Sequence, residues 1–250
     1  MAVIKKFIIL LIDYREIGTK LAELGGKTRV VPTPKGLLRG KVIEYKKLKI
    51  FLAQRHSSGH KTPPHQINYP AIALGLKALG VKACFSTTAV GSVREDWPAG
   101  TIAACSDFID LTSRQTTLYT NQVIHTDFTH PFDPVCRVSL LKSAAELGIP
   151  IHDKAVYVGM AGPRYETPEE VKMVRMLGGD VVGMTATSEA IAMQEAGIPY
   201  ACLTVVTNLA SGMDAPKLSH EDVVAMMNQS SQTAVHLLLA ASLHVNTSKL

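Results

Sequence analysis

The sequence predicts a single α/β domain spanning residues 1–250, built on a central mixed, largely parallel β-sheet flanked by helices. Apolar runs of strand length alternate along the chain with longer stretches of helical periodicity. Several of these runs end abruptly in small and polar residues with a helix start directly behind them, which is how an α/β sheet presents a ligand site. Hydrophobic residues fill 46% of the 250 positions and charged residues 19%, a globular balance with chain enough to bury a core.

Taken in order, residues 5–12 (KKFIILLI) read as the first buried strand. The apolar run is too short for a secretory signal, Asp13 ends it, and no small-residue cleavage site follows. Residues 40–45 and 48–53 are two strands joined by a short charged turn, and the second delivers Arg55 and His56. Pro63 and Pro64 precede a helix running to about Leu79, with His65 and Asn68 at its start. Residues 81–90 are nearly continuously apolar or β-branched, as in a central parallel strand, and lead into Thr88-Ala89-Val90-Gly91-Ser92. A further strand covers 101–111. Residues 112–134 have no periodicity and are rich in Thr, His and Asp; a loop of that length in a compact domain is commonly functional. The helix 134–147 is amphipathic through Val138, Leu141, Ala144 and Ala145 and reads as scaffold.

The stretch 157–191 organises the rest. An apolar run at 155–160 is broken by Gly159, Gly162 and Pro163. Thr167 as N-cap and Pro168 at the first helical position open a helix that carries Val171, Val174 and Leu177 and stops at Gly178-Gly179. A second short strand, 180–184, runs into the helix 188–196. Arg164, Tyr165 and Glu166 stand at the first strand end, and Thr185, Thr187 and Glu189 at the second. An aromatic beside a carboxylate suits a heteroaromatic ring, which one can stack on while the other accepts an N–H. Met184 followed by Thr185 suits an apolar sugar face beside an anion. The strand 200–206 then ends in Thr207-Asn208, a polar amide well placed to meet a ligand. The last helix, 219–243, has Ser219 as cap, Asp222 three residues on, and His220 in its first turn, where the helix dipole favours a neutral imidazole.

The net charge of +5 is modest, and the densest basic run, Lys46-Lys47-Leu48-Lys49, lacks interleaved aromatics; it reads as a solvated strand edge rather than a nucleic-acid surface. No stretch approaches membrane-spanning length. Cys84, Cys105, Cys136 and Cys202 are scattered without a CxxC pair, as reduced buried thiols of a cytoplasmic protein would be. His56, His60 and His65 are loosely spaced with no cysteine or carboxylate nearby, so no metal site is expected.

The segment AGPRYET…GGDVVGMTATSEAIAMQEAGIPYA resembles the purine nucleoside phosphorylase and methylthioadenosine phosphorylase family, and the similarity resumes at RHSSGHKTPPHQINY, TTAVGS, HTDFTHPFDP and VVTNLASGM. It covers roughly residues 32–239, with the motifs in the family's order. The resemblance implies a trimeric α/β enzyme that cleaves a purine N-glycosidic bond with inorganic phosphate as co-substrate and no other cofactor. By resemblance, Arg55, His56, Thr88, Ala89 and Thr185 hold phosphate. Tyr165, Glu166, Met184, Asn208 and His220 hold the nucleoside, with Tyr119 or nearby loop residues beside the ribose. Asn208, Glu166 and His56 carry the catalytic roles. His65, His130 and Phe132 would reach toward a neighbouring subunit in a homotrimer or a dimer of trimers. One motif departs from the family: its Gly-Gly-Ser/Thr-Gly phosphate turn is replaced by residues 12–19, IDYREIGT, which lack the glycine pair.

Glu166 can accept the N1–H of a 6-oxopurine and Asn208 can donate to O6 or N7. Relatives selective for 6-aminopurines carry an acid where Asn208 stands, so hypoxanthine or guanine nucleosides are expected over adenine ones. His220 favours a 5′-hydroxyl, hence inosine or guanosine. The RHSSGH and HTDFTHPFDP motifs favour a 5′-methylthio group, hence S-methyl-5′-thioinosine or methylthioadenosine. A reading of another class follows from the altered N-terminal turn: a nucleoside-binding homologue with impaired catalysis. A water-using nucleosidase is a further alternative, opposed by Arg55-His56.

Overall fold

Ile8, Ile9 and Leu10 are fully buried, so the first strand has protein on both faces and lies inside the sheet. The computed structural model describes residues 6–12, 25–57, 61–213 and 220–245. In these, β1 (Lys6–Ile12), β2 (Lys27–Thr33), β3 (Gly36–Tyr45) and β4 (Leu48–Gln54) come first, followed by a 3-10 turn at Pro64–Gln66 and α1 (Tyr69–Ala78). Next are β5 (Ala83–Ser92), β6 (Ile102–Asp110), α2 (Pro134–Leu147), β7 (His152–Gly159) and α3 (Pro168–Met176). The chain ends through β8 (Val181–Gly183), α4 (Ala186–Ala196), β9 (Tyr200–Leu209) and α5 (His220–His244).

The sheet runs β2-β3-β4-β1-β5-β8-β7-β6-β9, and β9 also pairs with β5. That last pairing curls the second half of the sheet into a closed ring. A register shift between Val90 and Gly91 of β5 accompanies the closure; a bulge bends a strand and increases its twist. Parallel pairs (β1 with β4 and β5, β5 with β9, β6 with β7, β7 with β8) stand beside antiparallel ones (β2–β3, β3–β4, β5–β8, β6–β9), so the sheet is mixed as expected. The helices cover both faces. Tyr69, Ile72 and Leu76 of α1 share one apolar cluster with Ala190 and Met193 of α4. Leu140 and Ala144 of α2 share the other with Leu237, Leu238 and Ala241 of α5.

Local chemistry sets the element ends. Thr167 accepts from the Glu170 N–H while Glu170 reaches back to the Thr167 N–H, a reciprocal cap on α3. The Arg164 guanidinium and then the Thr167 N–H hold the Glu170 carboxyl down to about 2. Helix α2 starts on Asp133 and Pro134 and stops at Gly148 in the left-handed region.

Several expectations are corrected. Strand β2 goes unread in the sequence because it is an exposed edge carrying Lys27, Arg29 and Pro32, without apolar alternation. The helix expected from Pro63–Pro64 splits: the 3-10 turn ends, and α1 begins afresh with Asn68 accepting from the Ala71 N–H at 3.0 Å. Pro70, without an N–H, fits only in that new first turn. Helix α2 buries Cys136, Ser139, Leu140, Ser143 and Ala144, whereas Val138 is 61% exposed. Its buried stripe is therefore rotated from the one drawn through Val138 and Ala145, because Cys136 and two serines, Ser139 and Ser143, face the core. The lysine run is a hairpin tip, with Lys46 at φ 50°, and not a sheet edge. All four cysteines are buried free thiols. No helix among the described residues is long and apolar enough to cross a membrane. The altered phosphate turn at 13–19 and the Ser219 cap lie outside the described residues.

Candidate active site

The ends of β4, β5, β7, β8 and β9 converge on a cavity of about 330 Å³, within the size range of small-ligand pockets. His56, Thr88, Ala89 and Thr185 line one part of it, and Tyr165, Glu166, Met184 and Asn208 another. Eight residues singled out in the sequence are thus brought together from five elements that are far apart in the chain.

At the first part, the Thr88 and Thr185 hydroxyl oxygens lie 3.4 Å apart, and both residues are almost fully buried. Thr88 is delivered by the small-residue end of β5 and Thr185 by the turn into α4. The Tyr157 hydroxyl, from β7, accepts the N–H groups of Thr185 (3.1 Å) and Ala186 (3.3 Å), which fixes that turn. Gly183 is required for this: a Cβ there would lie 2.2 Å from the Tyr157 hydroxyl. The His56 ring meets the Thr62 carbonyl through Nδ1 at 2.8 Å, and the Thr62 N–H donates to the His56 carbonyl at 2.9 Å. A carbonyl only accepts, so the neutral ring carries its proton on Nδ1.

At the second part, Glu166 is 8% exposed, and burial pushes its carboxyl above the ordinary carboxylate value. Asn208 is held by its neighbours: the Thr207 hydroxyl donates to its Oδ1 at 2.8 Å, and its Nδ2 donates to the Leu209 carbonyl at 2.9 Å. An amide whose oxygen is already engaged has a donor left for the cavity. Gly162, at φ +61°, leaves room for Met184, whose sulfur would stand 2.3 Å from a Cβ at that position. Tyr165 is 39% exposed and forms an open wall.

Other expected residues lie elsewhere. Arg55 is not among the cavity-lining side chains. Its guanidinium has no exposed surface and forks onto Glu189, Nε to Oε1 at 2.5 Å and Nη2 to Oε2 at 3.1 Å, with Nη1 on the Thr87 carbonyl at 2.8 Å. The guanidinium thus stands directly behind Thr88, fixed by Glu189 and the Thr87 carbonyl. Tyr119 donates to the Glu195 carbonyl at 2.8 Å, tied to the far end of α4 and away from the cavity, which corrects its ribose role. Phe132 is 2% exposed and sits in this chain's own core against Phe108 and Tyr200, so it is not a surface contact for another subunit. His65 and His130 are exposed. His220 opens α5, and its side chain lies outside the described residues.

Two features carry no role in the sequence reading. Glu189, fully buried, also accepts from the Tyr200 hydroxyl at 2.8 Å, and that hydroxyl is 2.6 Å from Ser86. The signal for it is present: a carboxylate buried on a helix beside Ala186, Thr187, Ser188, Ala190, Ala192, Met193 and Ala196, none of them charged, demands a buried cation. Arg114, in the long loop, donates to the Met184 carbonyl at 2.7 Å, to Ser188 at 3.3 Å and to the Ala161 carbonyl. It thereby joins the turns after β7 and β8. Nothing local in the sequence marks it.

A profile described as the phosphorylase superfamily matches residues 6–242. The chain belongs to that superfamily. Among its members, a 6-oxopurine nucleoside phosphorylase of Pyrococcus furiosus is 44% identical over 200 residues, 76% of this chain and 75% of the relative. A probable S-methyl-5′-thioinosine phosphorylase of Methanopyrus kandleri is 39% identical over 214 residues, 85% and 84% of the two chains. Among solved structures, methylthioadenosine phosphorylase from Schistosoma mansoni in complex with adenine superposes with a TM-score of 0.88 at 25% identity, covering 95% of this chain and 90% of that one. The superfamily fold is thus the one described above, with the cavity at its converging strand ends.

Proposed function

We propose that the protein cleaves a purine nucleoside with inorganic phosphate, releasing the free base and ribose 1-phosphate, with 6-oxopurine nucleosides (inosine, guanosine) as preferred substrates. The observation that carries the reading is the joining, in one cavity, of a hydroxyl and imidazole group (Thr88, Thr185, His56) with a carboxylate and a fixed amide (Glu166, Asn208). The phosphorylase relatives above support it.

Phosphate held by Thr88, Thr185 and His56 would lie beneath the sugar, with Met184 against the sugar's apolar face. As the glycosidic bond lengthens, positive charge grows on the ribose and negative charge on the purine. The dianion stabilises the first and then bonds to C1′; the purine takes the bonding electrons. The Asn208 Nδ2 donates to N7 or O6 as charge accumulates there, and Glu166 accepts N1–H. The Asn208 donor is held before reaction by Thr207 and Leu209, so little reorganisation is needed. An adenine would set an unprotonated N1 against Glu166 and a 6-amino group against the Asn208 donor, leaving buried polar groups unpaired. No further cofactor is invoked. We further propose a cytoplasmic homotrimer or dimer of trimers, with His65 and His130 near the neighbouring subunit.

A second reading, S-methyl-5′-thioinosine as substrate, is favoured by the Methanopyrus relative, and it keeps the same base contacts. The test is incubation with inosine, S-methyl-5′-thioinosine and methylthioadenosine, with and without phosphate, with free base followed by chromatography. Phosphate-dependent hypoxanthine release supports the proposal, and the ratio of the two inosines decides between the readings. Bound nucleoside without product would favour the impaired homologue, and release in phosphate-free buffer a nucleosidase.

A further inference from the structure

We propose that the antiparallel strands β2, β3 and β4 form a surface that binds single-stranded nucleic acid by its phosphates. Residues 27–49 hold eight of the chain's 26 Lys and Arg but one, Glu44, of its 21 acids, a formal +7 on a chain whose total is +5. The run Lys46-Lys47-Leu48-Lys49 is short by itself, and strand pairing gathers further cations around it. Thr28 stands opposite Lys41, Val30 opposite Arg39, and Glu44 opposite Lys49. Paired residues share a face and successive ones alternate. Arg39 and Lys41 are therefore exposed on one face, Lys27, Arg29 and Lys49 on the other, and Lys46 and Lys47 at the hairpin tip.

Protection of a sheet edge against pairing with another chain accounts for Lys27 and Arg29 on β2. It does not account for Arg39 and Lys41, because β3 lies between two partners, nor for Lys49 on β4, which does too. The distribution selects the partner. A planar anionic bilayer or a rigid duplex meets one face at a time, whereas a flexible phosphodiester strand can cross the edge and reach both. The ten residues of β3 span about 33 Å, room for several phosphates. Of the two aromatics in these strands, Phe51 is buried and Tyr45 carries the Lys46 ammonium over its ring at 5.6 Å from the centroid. Base stacking thus adds little, and the binding is electrostatic and independent of sequence. The surface is remote from the cavity: β4 starts at Leu48 beside the hairpin tip and ends at Gln54, two residues before His56. It does not depend on the phosphorolysis reading.

The test is fluorescence anisotropy of a labelled oligouridylate of about 20 nucleotides, titrated with the full chain over a series of salt concentrations. The wild type should bind with a Kd of about 10⁻⁶–10⁻⁴ M near physiological salt. The log of its affinity should fall with log salt at a slope of roughly −3, as for four or five phosphates neutralised on a single strand. Lys27→Gln with Arg29→Gln, and Arg39→Gln with Lys41→Gln, should each weaken binding about tenfold in about 50 mM salt and make the slope shallower by about 1 to 1.5. Lys172→Gln with Arg175→Gln, on the surface of α3, should change neither quantity. Melting temperatures and base release from inosine should match the wild type in all three, because the replaced side chains are exposed and away from the cavity. The proposal is overturned by absence of binding in about 50 mM salt, or by binding that both hairpin variants leave within about twofold of wild type. A loss confined to one hairpin variant also overturns it, since that is the pattern of a planar bilayer or a duplex.

Discussion

Glu189→Gln removes one negative charge from a network in which Arg55, Glu189, Tyr200 and Ser86 are all buried. The glutamine keeps the size and one acceptor oxygen, but it removes the carboxylate charge on which the buried Arg55 guanidinium forks. Removing one member of a buried pair costs about 3–5 kcal/mol, and the retained acceptor puts this variant at the lower end, roughly 3 kcal/mol. For a domain of this size each kcal/mol shifts the midpoint by about 2–4 °C, so a fall of roughly 6–12 °C is expected. Tyr200→Phe should cost about 1 kcal/mol, the net value of a neutral hydrogen bond, and the double variant should lose less than the sum because the two share Glu189. Replacing both charges together, Arg55→Met with Glu189→Leu, should regain most of the stability without regaining activity. The assay is thermal unfolding by circular dichroism at fixed protein concentration, paired with phosphate-dependent base release. A Glu189→Gln midpoint within about 2 °C of wild type would refute the argument, because it would mean that Arg55 does not depend on Glu189 for its charge balance.

Further outcomes follow from the cavity. Asn208→Asp should lower inosine kcat/KM about 100-fold and raise that for adenosine, measured as base release from each, because the fixed donor becomes an acceptor. Glu166→Gln should lower kcat/KM for inosine by about 10²–10³, the usual loss when one oriented polar group is removed from a transition state. It should also melt higher than wild type at pH 7.5. The raised pKa means that the folded state binds the Glu166 proton more tightly than the unfolded one, so folding loses stability as pH rises through that window. The gap should close as pH falls below the ordinary carboxylate value, and a gap that widens in acid would reverse the assignment. Arg114→Ala should lower inosine kcat/KM about 100-fold through misplacement of Met184, with Arg114→Lys recovering part; equal activity in all three would remove it from the site's support.

The fold was legible where local chemistry and burial agree. The sequence Thr167-Pro168-Glu169-Glu170 is a helix start by itself, and the run at 81–90 can satisfy its side chains only inside a sheet. Strand β2 was not legible, because an edge strand needs no apolar alternation, and neither was ring closure, which depends on β9 pairing with two partners. Within the site, polar residues in the last part of a buried strand or just after it (Thr88, Asn208, Thr185) could be read from the change in polarity. Arg55 shows the limit of that reading. A guanidinium after a buried strand has the chemistry of an anion ligand, but its carboxylate partner Glu189, 134 residues away, is one that no local pattern reveals. Phe132 and Tyr119 failed for the related reason that a loop without periodicity carries no signal of which side chains fold inward.

The placement of charge bears on how such a cavity can turn over. A bare buried guanidinium would bind free phosphate and the transition state with similar strength, and uniform binding does not raise kcat. With Arg55 matched by Glu189, a dianion bound as proposed would meet the hydroxyls of Thr88 and Thr185 and the His56 ring. Its strongest new partner is the positive charge that develops on the ribose only as the bond to the purine breaks. Glu166 works in the same direction at the other part of the cavity. Burial disfavours its ionised form, and on the proposed reading a 6-oxopurine N1–H would supply the hydrogen bond that offsets this cost. Stabilisation is thereby withheld until the correct purine and the developing charge are both present, which is the condition for selectivity and rate to come from the same few groups.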